Sequence, residues 1–224
     1  MANHEVSEAI KKFAPSSPYA DDLGALSREV GGLSVHKIAL SNSLTFHVPK
    51  REMLKAARFL EREIFRNRRY HRDGFEIRPN DTIIDIGANM GMFSMWAAPQ
   101  APEGRVVAIE PMDVVGCLDL NVRLNKLENV VVLNAAIGPD GEVLEFLDYP
   151  SFNILTHQVG ARPAWTTRLL VRLLLLQQQL EPVQVRAPCI SLGTIIDEFD
   201  LKTVDYLKVD CEGGEYEILR TLSD

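Results

Sequence analysis

The chain has 224 residues, 46% of them hydrophobic, which is enough for one domain with additions and a buried core. Its formal net charge of −7 argues against a general nucleic-acid-binding protein, and the absence of any run of about 18 apolar residues argues against a transmembrane span. The three cysteines, Cys117, Cys189 and Cys211, form neither a CxxC pair nor a zinc-like spacing with histidine. We therefore predict no metal site and expect a reducing, cytoplasmic location.

Residues 1–78 are predicted to form an N-terminal extension, with a short strand over 43–48 and a helix over 51–70. The helix is predicted from apolar residues that share one helical face: Met53, Ala57, Leu60 and Ile64. Its other face is basic, because residues 50–78 hold ten Lys or Arg against five Asp or Glu. That face either docks an anionic substrate or a phosphorylated carrier, or is an ordinary solvated surface.

The most informative stretch is residues 81–91, which read DTIIDIGANMG. A β-branched run predicts a strand over 82–86, and a glycine-rich turn with Asp85 at its entrance leads to a helix over 91–98. This arrangement binds adenosine-type ligands at the carboxyl end of a parallel sheet. The alternative is an ordinary strand-to-helix turn whose Asp caps the helix.

The same stretch distinguishes two classes of ligand. A dinucleotide fingerprint that starts at Gly87 needs glycine at position 89 and glycine or alanine at position 92, where this chain has Asn89 and Met92. The Asp85 carboxylate repels a pyrophosphate but suits a cationic amino group, directly or through water, and such a charge-assisted hydrogen bond is worth roughly 1.5–3 kcal/mol. S-adenosylmethionine carries such a group, so the turn favours it over a nicotinamide dinucleotide.

The next predicted strand, 105–110, ends in Glu110. In doubly wound sheets an acidic residue about 20 positions past the glycine turn accepts hydrogen bonds from ribose hydroxyls, and Glu110 follows Gly91 by 19 positions. A helix over 113–126 and a strand over 129–134 continue the alternation. Strands that alternate with helices predict a parallel sheet with right-handed crossovers.

A leucine-rich segment, residues 164–180, lies between two further predicted strands at 142–149 and 183–190. Its leucines recur at one-face spacing, which predicts an apolar helix. Three interpretations remain open: a lid or wall over the substrate pocket, a membrane-surface or partner-binding helix, and a helix packed on the core.

The last predicted strand, 204–209, leads into the polar loop 210–215 and a helix over 216–222. Because carboxyl ends of parallel strands meet at one edge of a sheet, Asp210 is expected to face the same crevice as Asp85 and Glu110. The alternative explanation of the acidic loop is the preference of a helix N-terminus for acidic residues.

Four segments, DIGANMG, AIEP, NAAIG and YLKVDCEGGE, occur in this order and resemble the FkbM family of class I S-adenosylmethionine-dependent methyltransferases over roughly residues 79–222. The resemblance implies S-adenosylmethionine as cofactor and O-methylation of a hydroxyl on a sugar, a lipid-linked saccharide or a natural-product intermediate. It also implies cofactor-binding residues in four segments: Asp85, Gly87, Ala88, Asn89 and Gly91 at the methionine end, Glu110 and Pro111 at the ribose, Asn134, Ala135 and Ala136 beside the adenine, and Asp210 in the acidic loop over the reacting centre. Glu212 belongs to the same acidic loop.

The implied fold is α/β, with a doubly wound, Rossmann-like, mostly parallel sheet in a methyltransferase domain of residues 79–224. The N-terminal helical extension and the leucine-rich helical insertion are additions to it. The family's seven-stranded sheet normally continues past the KVDCEGGE helix, whereas this sequence ends at Asp224. We therefore expect its C-terminal strands to be missing, and the strand at 204–209 to keep an open edge that a second copy or a partner chain covers.

Methyl transfer to a hydroxyl needs a group that removes the proton, and Asp210 or Glu212 is predicted to act as this base. His157 is the next candidate, although a surface histidine explains it as well. Two other classes remain open: a nicotinamide-dependent oxidoreductase, disfavoured by Asn89 and Met92, and a non-catalytic or partner-dependent nucleotide-binding module.

Overall fold

The computed structural model describes residues 8–15, 36–48, 50–51, 53–148, 157–158 and 183–211, together with Glu215 and Ile218. Within these ranges the helices and strands follow in chain order: α1 (Glu8–Lys11), β1 (His36–Ala39), β2 (Thr45–Val48), α2 (Met53–Glu61), a π-helical turn (Arg62–Arg66), β3 (Thr82–Ile86), α3 (Met92–Ala97), a 3₁₀ turn (Ala98–Gln100), β4 (Arg105–Ile109), α4 (Val115–Leu124), β5 (Val130–Leu133), β6 (Ala136–Ile137), β7 (Val143–Asp148), β8 (His157–Gln158), β9 (Val183–Ile190), α5 (Leu192–Glu198) and β10 (Tyr206–Val209).

Four parallel strands form the central sheet in the order β10-β3-β4-β5. Ile83 of β3 lies beside Tyr206 of β10 on one side and beside Val106 of β4 on the other. β3 and β4 are buried along nearly their whole length, which explains their continuous Val and Ile runs. The predicted α/β class with a parallel sheet is confirmed, and the predicted strands differ from the observed ones by at most two residues at either end.

Successive residues of the sheet face two separate apolar cores, as the period of two in a strand requires. Ile83 and Val106 pack on one side against residues of α3 and α4, whereas Ile84 and Val107 pack on the other side against residues of α1 and α5. Helices therefore cover both faces of the sheet, and the carboxyl ends of its strands are left for the loops.

A second sheet, in the order β6-β9-β7-β8, follows β5. β7 and β9 are antiparallel, with Phe146 opposite Val185, and they correspond to the strands predicted at 142–149 and 183–190. Helix α5 was not predicted. It begins after Ser191, whose Oγ accepts a hydrogen bond from the Thr194 amide at 3.0 Å, so the capping serine was the available signal.

The N-terminal extension packs into the same core as the sheet. Phe46 and Val48 of β2 and Ala57 of α2 are buried in one cluster with Ile83. β2 confirms the strand predicted at 43–48, and its antiparallel partner β1 was not predicted.

The helix predicted over 51–70 ends earlier than expected. α2 continues into the π-helical turn, which closes with a hydrogen bond of 2.7 Å from the Asn67 amide to the Arg62 carbonyl. Arg68 then adopts a φ of 52°, in the left-handed region, which ends the helix. The observed helix therefore stops at Arg66, short of Tyr70.

Two predicted helices, 164–180 and 216–222, lie outside the described residues except for Ile218, which is helical and buried. In the part of the chain that the structure describes, no helix is long and apolar enough to cross a membrane.

Two asparagines hold β2 by its backbone: Asn121 in α4 and Asn125 directly after the end of that helix. The Asn121 Oδ1 accepts from the His47 amide at 2.7 Å, and its Nδ2 donates to the His47 carbonyl at 3.0 Å and to the Met90 carbonyl at 3.2 Å. Asn125 makes the same pair of bonds to Thr45, at 2.8 Å each. These amides take the place of a neighbouring strand, so the extension is anchored by polar bonds as well as by apolar packing.

We predict that Asn121→Ala lowers the free energy of unfolding by about 1–3 kcal/mol, because it leaves backbone groups of His47 and Met90 without partners. Urea denaturation of the two proteins measures the change. Arg186→Gln is the control, because its ion pair with Glu145 is exposed on both sides and is worth at most about 1 kcal/mol. Equal stability of Asn121→Ala and wild type would contradict the anchoring role.

Candidate active site

A cavity of about 450 Å³ lies at the carboxyl ends of β3, β4, β5 and β10. Eight residues predicted from the sequence lie on its wall: Gly87, Ala88, Asn89, Glu110, Pro111, Ala135, Ala136 and Asp210. Among the described residues, three predicted ones do not line it: Asp85, Gly91 and Asn134. Glu212 lies outside the described residues, and for His157 only the backbone, in β8, is described. The structure therefore brings most of the predicted site together.

Both glycines of the turn are required by contacts within the chain itself. Gly87 has a φ of 74°, and a Cβ atom there would lie 2.1 Å from the carbonyl oxygen of Asp210. Gly91 has a φ of 91°, and a Cβ atom there would lie 2.4 Å from the Leu118 side chain. Gly87 thus lets the loop after β10 approach the loop after β3, and Gly91 lets α4 pack against the turn.

Asp85 is fully buried, and the chain itself supplies its cation. One carboxylate oxygen accepts from the Ser94 hydroxyl at 2.6 Å, and the other accepts from the Lys208 ammonium at 2.9 Å. Lys208, only 8% exposed, also donates to the Gly87 carbonyl at 3.3 Å and reaches the cavity wall. A role for Asp85 as a direct ligand of an amino group stays a prediction, since in this structure Lys208 lies between Asp85 and the cavity.

Sequence reasoning missed Lys208. The available signal was a lysine in the buried strand β10, where an unpaired charge is costly. Although burial opposes its charge, the carboxylates of Asp85 and Asp210 outweigh that effect and raise the pKa of Lys208. The ammonium lies 3.7 Å from an Asp210 oxygen, and the Asp210 side chain is 59% exposed. The cluster of two carboxylates and one ammonium therefore presents its excess negative charge on Asp210, at the cavity.

Glu110 is held on the cavity wall by two backbone amides. Its Oε2 accepts from the Asn89 amide at 2.8 Å, and its Oε1 accepts from the Met112 amide at 3.0 Å. Burial raises the pKa of Glu110 to about 7, although the two amides oppose the shift. Asn134 supports the same segment indirectly, since its Nδ2 donates to the carbonyls of Glu110 and Pro111 at 3.0 and 3.2 Å. The carboxyl group is thus fixed between the loops that follow β3 and β4.

The N-terminal extension supplies one side of the cavity. Leu60, Ile64 and Tyr70 line it, and the Tyr70 ring meets Phe93 edge-on with 4.8 Å between ring centroids. Burial raises the pKa of the Tyr70 hydroxyl, although Lys208 opposes the shift. From the sequence, the basic face of this helix was considered for an anionic substrate, but it was not predicted that the apolar face and Tyr70 line the cavity.

In the part of the chain that the structure describes, the remaining polar groups form neither a metal centre nor a reactive thiol. Among the described residues, no group of three or more His, Cys, Asp or Glu side chains is placed to hold a metal ion. Cys211 lines the cavity, but burial, together with the charge of Glu110, raises its pKa to about 12. A thiol with that pKa is protonated at neutral pH and is a weak nucleophile.

The comparisons with known proteins agree on one protein family. Residues 85–224 match the family described as the methyltransferase FkbM domain. The chain is 30% identical over 183 residues to the 31-O-demethyl-FK506 methyltransferase FkbM of Streptomyces tacrolimicus, covering 75% of this chain and 69% of that protein. It is 27% identical over 197 residues to Methyltransferase 1 of Beauveria bassiana, covering 85% and 76% of the two chains.

Among solved structures, the TYW2 of M. jannaschii in complex with AdoMet is 20% identical in sequence to this chain. The match covers 45% of this chain and 42% of the TYW2 chain. The TM-score of 0.30 is too low for that likeness to carry an argument.

We predict that Lys208→Met lowers the free energy of unfolding by about 3–5 kcal/mol, because it leaves Asp85 as a buried, unneutralised carboxylate. Urea denaturation measures the loss. The double variant Lys208→Met with Asp85→Asn should recover a large part of it, because the uncompensated charge is gone. If the double variant is no more stable than Lys208→Met alone, the two groups are not coupled in the way that the structure indicates.

Glu110 gives a second prediction, on pH. A carboxyl whose pKa rises on folding from its ordinary value of 4.5 to about 7 stabilises the fold fully below pH 4.5 and loses that contribution as the pH rises through 7. The free energy of unfolding of wild type relative to Glu110→Gln should therefore fall by up to about 3 kcal/mol between those pH values. Chemical denaturation at a series of pH values measures the difference, and parallel curves for the two proteins would rule the shift out.

Proposed function

Because the chain belongs to the FkbM family of S-adenosylmethionine-dependent methyltransferases, we propose that its cavity binds this cofactor and that the protein methylates a hydroxyl group. The family match confirms the resemblance of the sequence motifs, and S-adenosylmethionine is the family's cofactor. One observation carries the proposal: Asp85 lies next to the last residue of β3, and Glu110 and Asp210 directly follow the neighbouring parallel strands β4 and β10. Glu110 and Asp210 line one cavity.

The residues on the cavity wall fit the cofactor. When bound, S-adenosylmethionine supplies a methyl group that its sulfonium makes electrophilic. Glu110, fixed by two amides, has carboxylate lone pairs available for ribose hydroxyls. The loop of residues 87–89 would hold the methionine end, and the apolar surfaces of Pro111, Ala135 and Ala136 would hold the adenine.

Asp210 is proposed as the group that removes the proton from the acceptor hydroxyl. Its amide donates to the Ile86 carbonyl at 3.1 Å and its own carbonyl lies against Gly87, so the carboxylate projects from a fixed backbone. The carboxylate is mostly exposed and lies at the cavity, where it accepts the proton as the oxygen becomes methylated. Glu212 and His157 are proposed as alternatives.

The rest of the cavity wall favours an acceptor with an apolar part. Leu60, Ile64, Leu144 and Phe146 line it beside Tyr70. An apolar wall gains free energy from burying apolar surface of the substrate, whereas a free sugar presents hydroxyls that would lose their water. We therefore propose O-methylation of a natural-product intermediate or a lipid-linked saccharide in preference to a free sugar. The name of the Streptomyces tacrolimicus relative, an O-demethyl-FK506 methyltransferase, supports O-methylation.

We predict that Asp210→Asn lowers the rate of methyl transfer by about 10²-fold or more, because the amide does not accept the proton. The affinity for S-adenosylhomocysteine should stay within a few-fold of wild type, since Glu110 and the loop of residues 87–89 are unchanged. Calorimetry measures the affinity, and mass spectrometry of a product heavier by one methylene group measures turnover, with 31-O-demethyl-FK506 as the first acceptor to test.

The matched control is Asp197→Asn, an exposed substitution of the same chemistry on α5 that does not line the cavity. It should leave both measurements unchanged. Loss of S-adenosylhomocysteine binding in Asp210→Asn would make Asp210 a cofactor ligand in place of a base. Binding of NAD but not of S-adenosylhomocysteine by wild type would overturn the methyltransferase proposal itself.

A further inference from the structure

A second cavity lies outside the active site and is strongly basic. It has a volume of about 570 Å³ and lies between β1 and the helix formed by α2 and the π-helical turn. Four cationic side chains line it: Lys37, Arg58, Arg62 and Arg66. Among the described residues the only carboxylate on its wall is Glu61. We call this feature the arginine groove.

Glu61 is built into the groove as a support for one arginine. It is buried, and one of its oxygens accepts from the Ser41 hydroxyl at 2.5 Å. Its other oxygen lies 3.1 Å from the Nε of Arg66. The single carboxylate is therefore already neutralised, and it fixes the position of the Arg66 guanidinium.

The other three cations of the groove have no counter-charge among the residues that the structure describes. In the described part of the chain, Lys37, Arg58 and Arg62 form no ion pair, and all three are exposed. Arg58 and Arg62 are four residues apart on a helix, a spacing at which like charges repel. This concentration of positive charge is unusual in a protein with a net charge of −7.

The π-helical turn helps to align the arginines. In an α-helix, side chains at every fourth position shift progressively around the helix axis, because each turn holds only 3.6 residues. A π-helical turn closes with bonds between residues five apart, as from Asn67 to Arg62, and so holds more residues per turn. The π-helical turn therefore reverses this shift, and Arg66 stays on the same face of the helix as Arg58 and Arg62.

We propose that the arginine groove is a binding site for a phosphate or diphosphate group. A guanidinium group binds two phosphate oxygens at once through parallel N–H···O hydrogen bonds. The three guanidinium groups and one lysine ammonium of the groove match the negative charge and the many acceptor oxygens of a diphosphate. The groove is separate from the active site, because Leu60 and Ile64 of the same helix line the active-site cavity, whereas Arg58, Arg62 and Arg66 line the groove. The inference rests on this geometry and does not depend on the proposed methyl transfer.

Calorimetric titration of the full chain with inorganic pyrophosphate tests the proposal. Wild type should bind pyrophosphate, and Arg58→Gln with Arg62→Gln should weaken binding by roughly 100-fold or more, because each lost charge-assisted hydrogen bond lowers the affinity by about tenfold or more. Both arginines are exposed, so the variant keeps its fold. The matched control, Lys50→Gln with Lys55→Gln, removes the same charge from exposed residues nearby that do not line the groove, and should change the affinity by less than about twofold.

A second titration distinguishes the location and the source of the phosphate. Saturating S-adenosylhomocysteine should leave pyrophosphate binding unchanged, because the two cavities are separate. Equal affinity for pyrophosphate and for a nucleoside diphosphate would mean that the groove recognises the phosphates alone, and tighter binding of the nucleotide would mean a nucleotide-linked ligand. The proposal fails if wild type ignores both, if the control variant loses as much affinity as the arginine variant, or if S-adenosylhomocysteine displaces the pyrophosphate.

Discussion

The buried ion pair between Asp85 and Lys208 is the interaction on which the rest of the site depends. It joins β3 to β10, and the same ammonium bonds the Gly87 carbonyl at the start of the turn. Removing either partner leaves a charge with almost no water around it, so the pair holds the carboxyl edge of the sheet in one arrangement. Because Gly87 has no Cβ atom, the Asp210 carbonyl approaches the turn closely at the same edge. The turn, the end of β10 and the cavity between them form one unit.

Three strand-end carboxylates therefore have three different environments. Asp85 is neutralised within the protein, Glu110 is held by two amides and has a raised pKa, and Asp210 is exposed at the cavity. Burial and partners decide what an acidic group does, more than its residue type. Glu110 is thus a fixed hydrogen-bond acceptor and Asp210 is an exposed, reactive carboxylate, although both directly follow a strand of the parallel sheet.

The N-terminal extension contributes to both cavities of the protein. Its helix contributes Leu60 and Ile64 to the active-site cavity on one side and the arginine groove on the other. Its strand β2 is anchored through the side-chain amides of Asn121 in α4 and of Asn125 directly after that helix. The extension thus shares its core with the sheet, and a change in its packing would reach both cavities.

Local pattern in the sequence determined the order of the elements, the ends of the parallel strands and the acidic chemistry at those ends. Such features depend on residues that are only a few positions apart, so they can be predicted from the sequence without knowledge of the tertiary structure. The partner of Asp85 could not be predicted, because Lys208 lies 123 residues away and meets it only once the parallel sheet places β10 beside β3. For the same reason the sequence related Gly87 to a ligand alone, whereas the folded chain also brings the Asp210 backbone against it while Gly87 lines the cavity. Tertiary structure alone decided that Asp85 and Lys208 are paired, because a pair between distant strands depends on distances in space that no local pattern records.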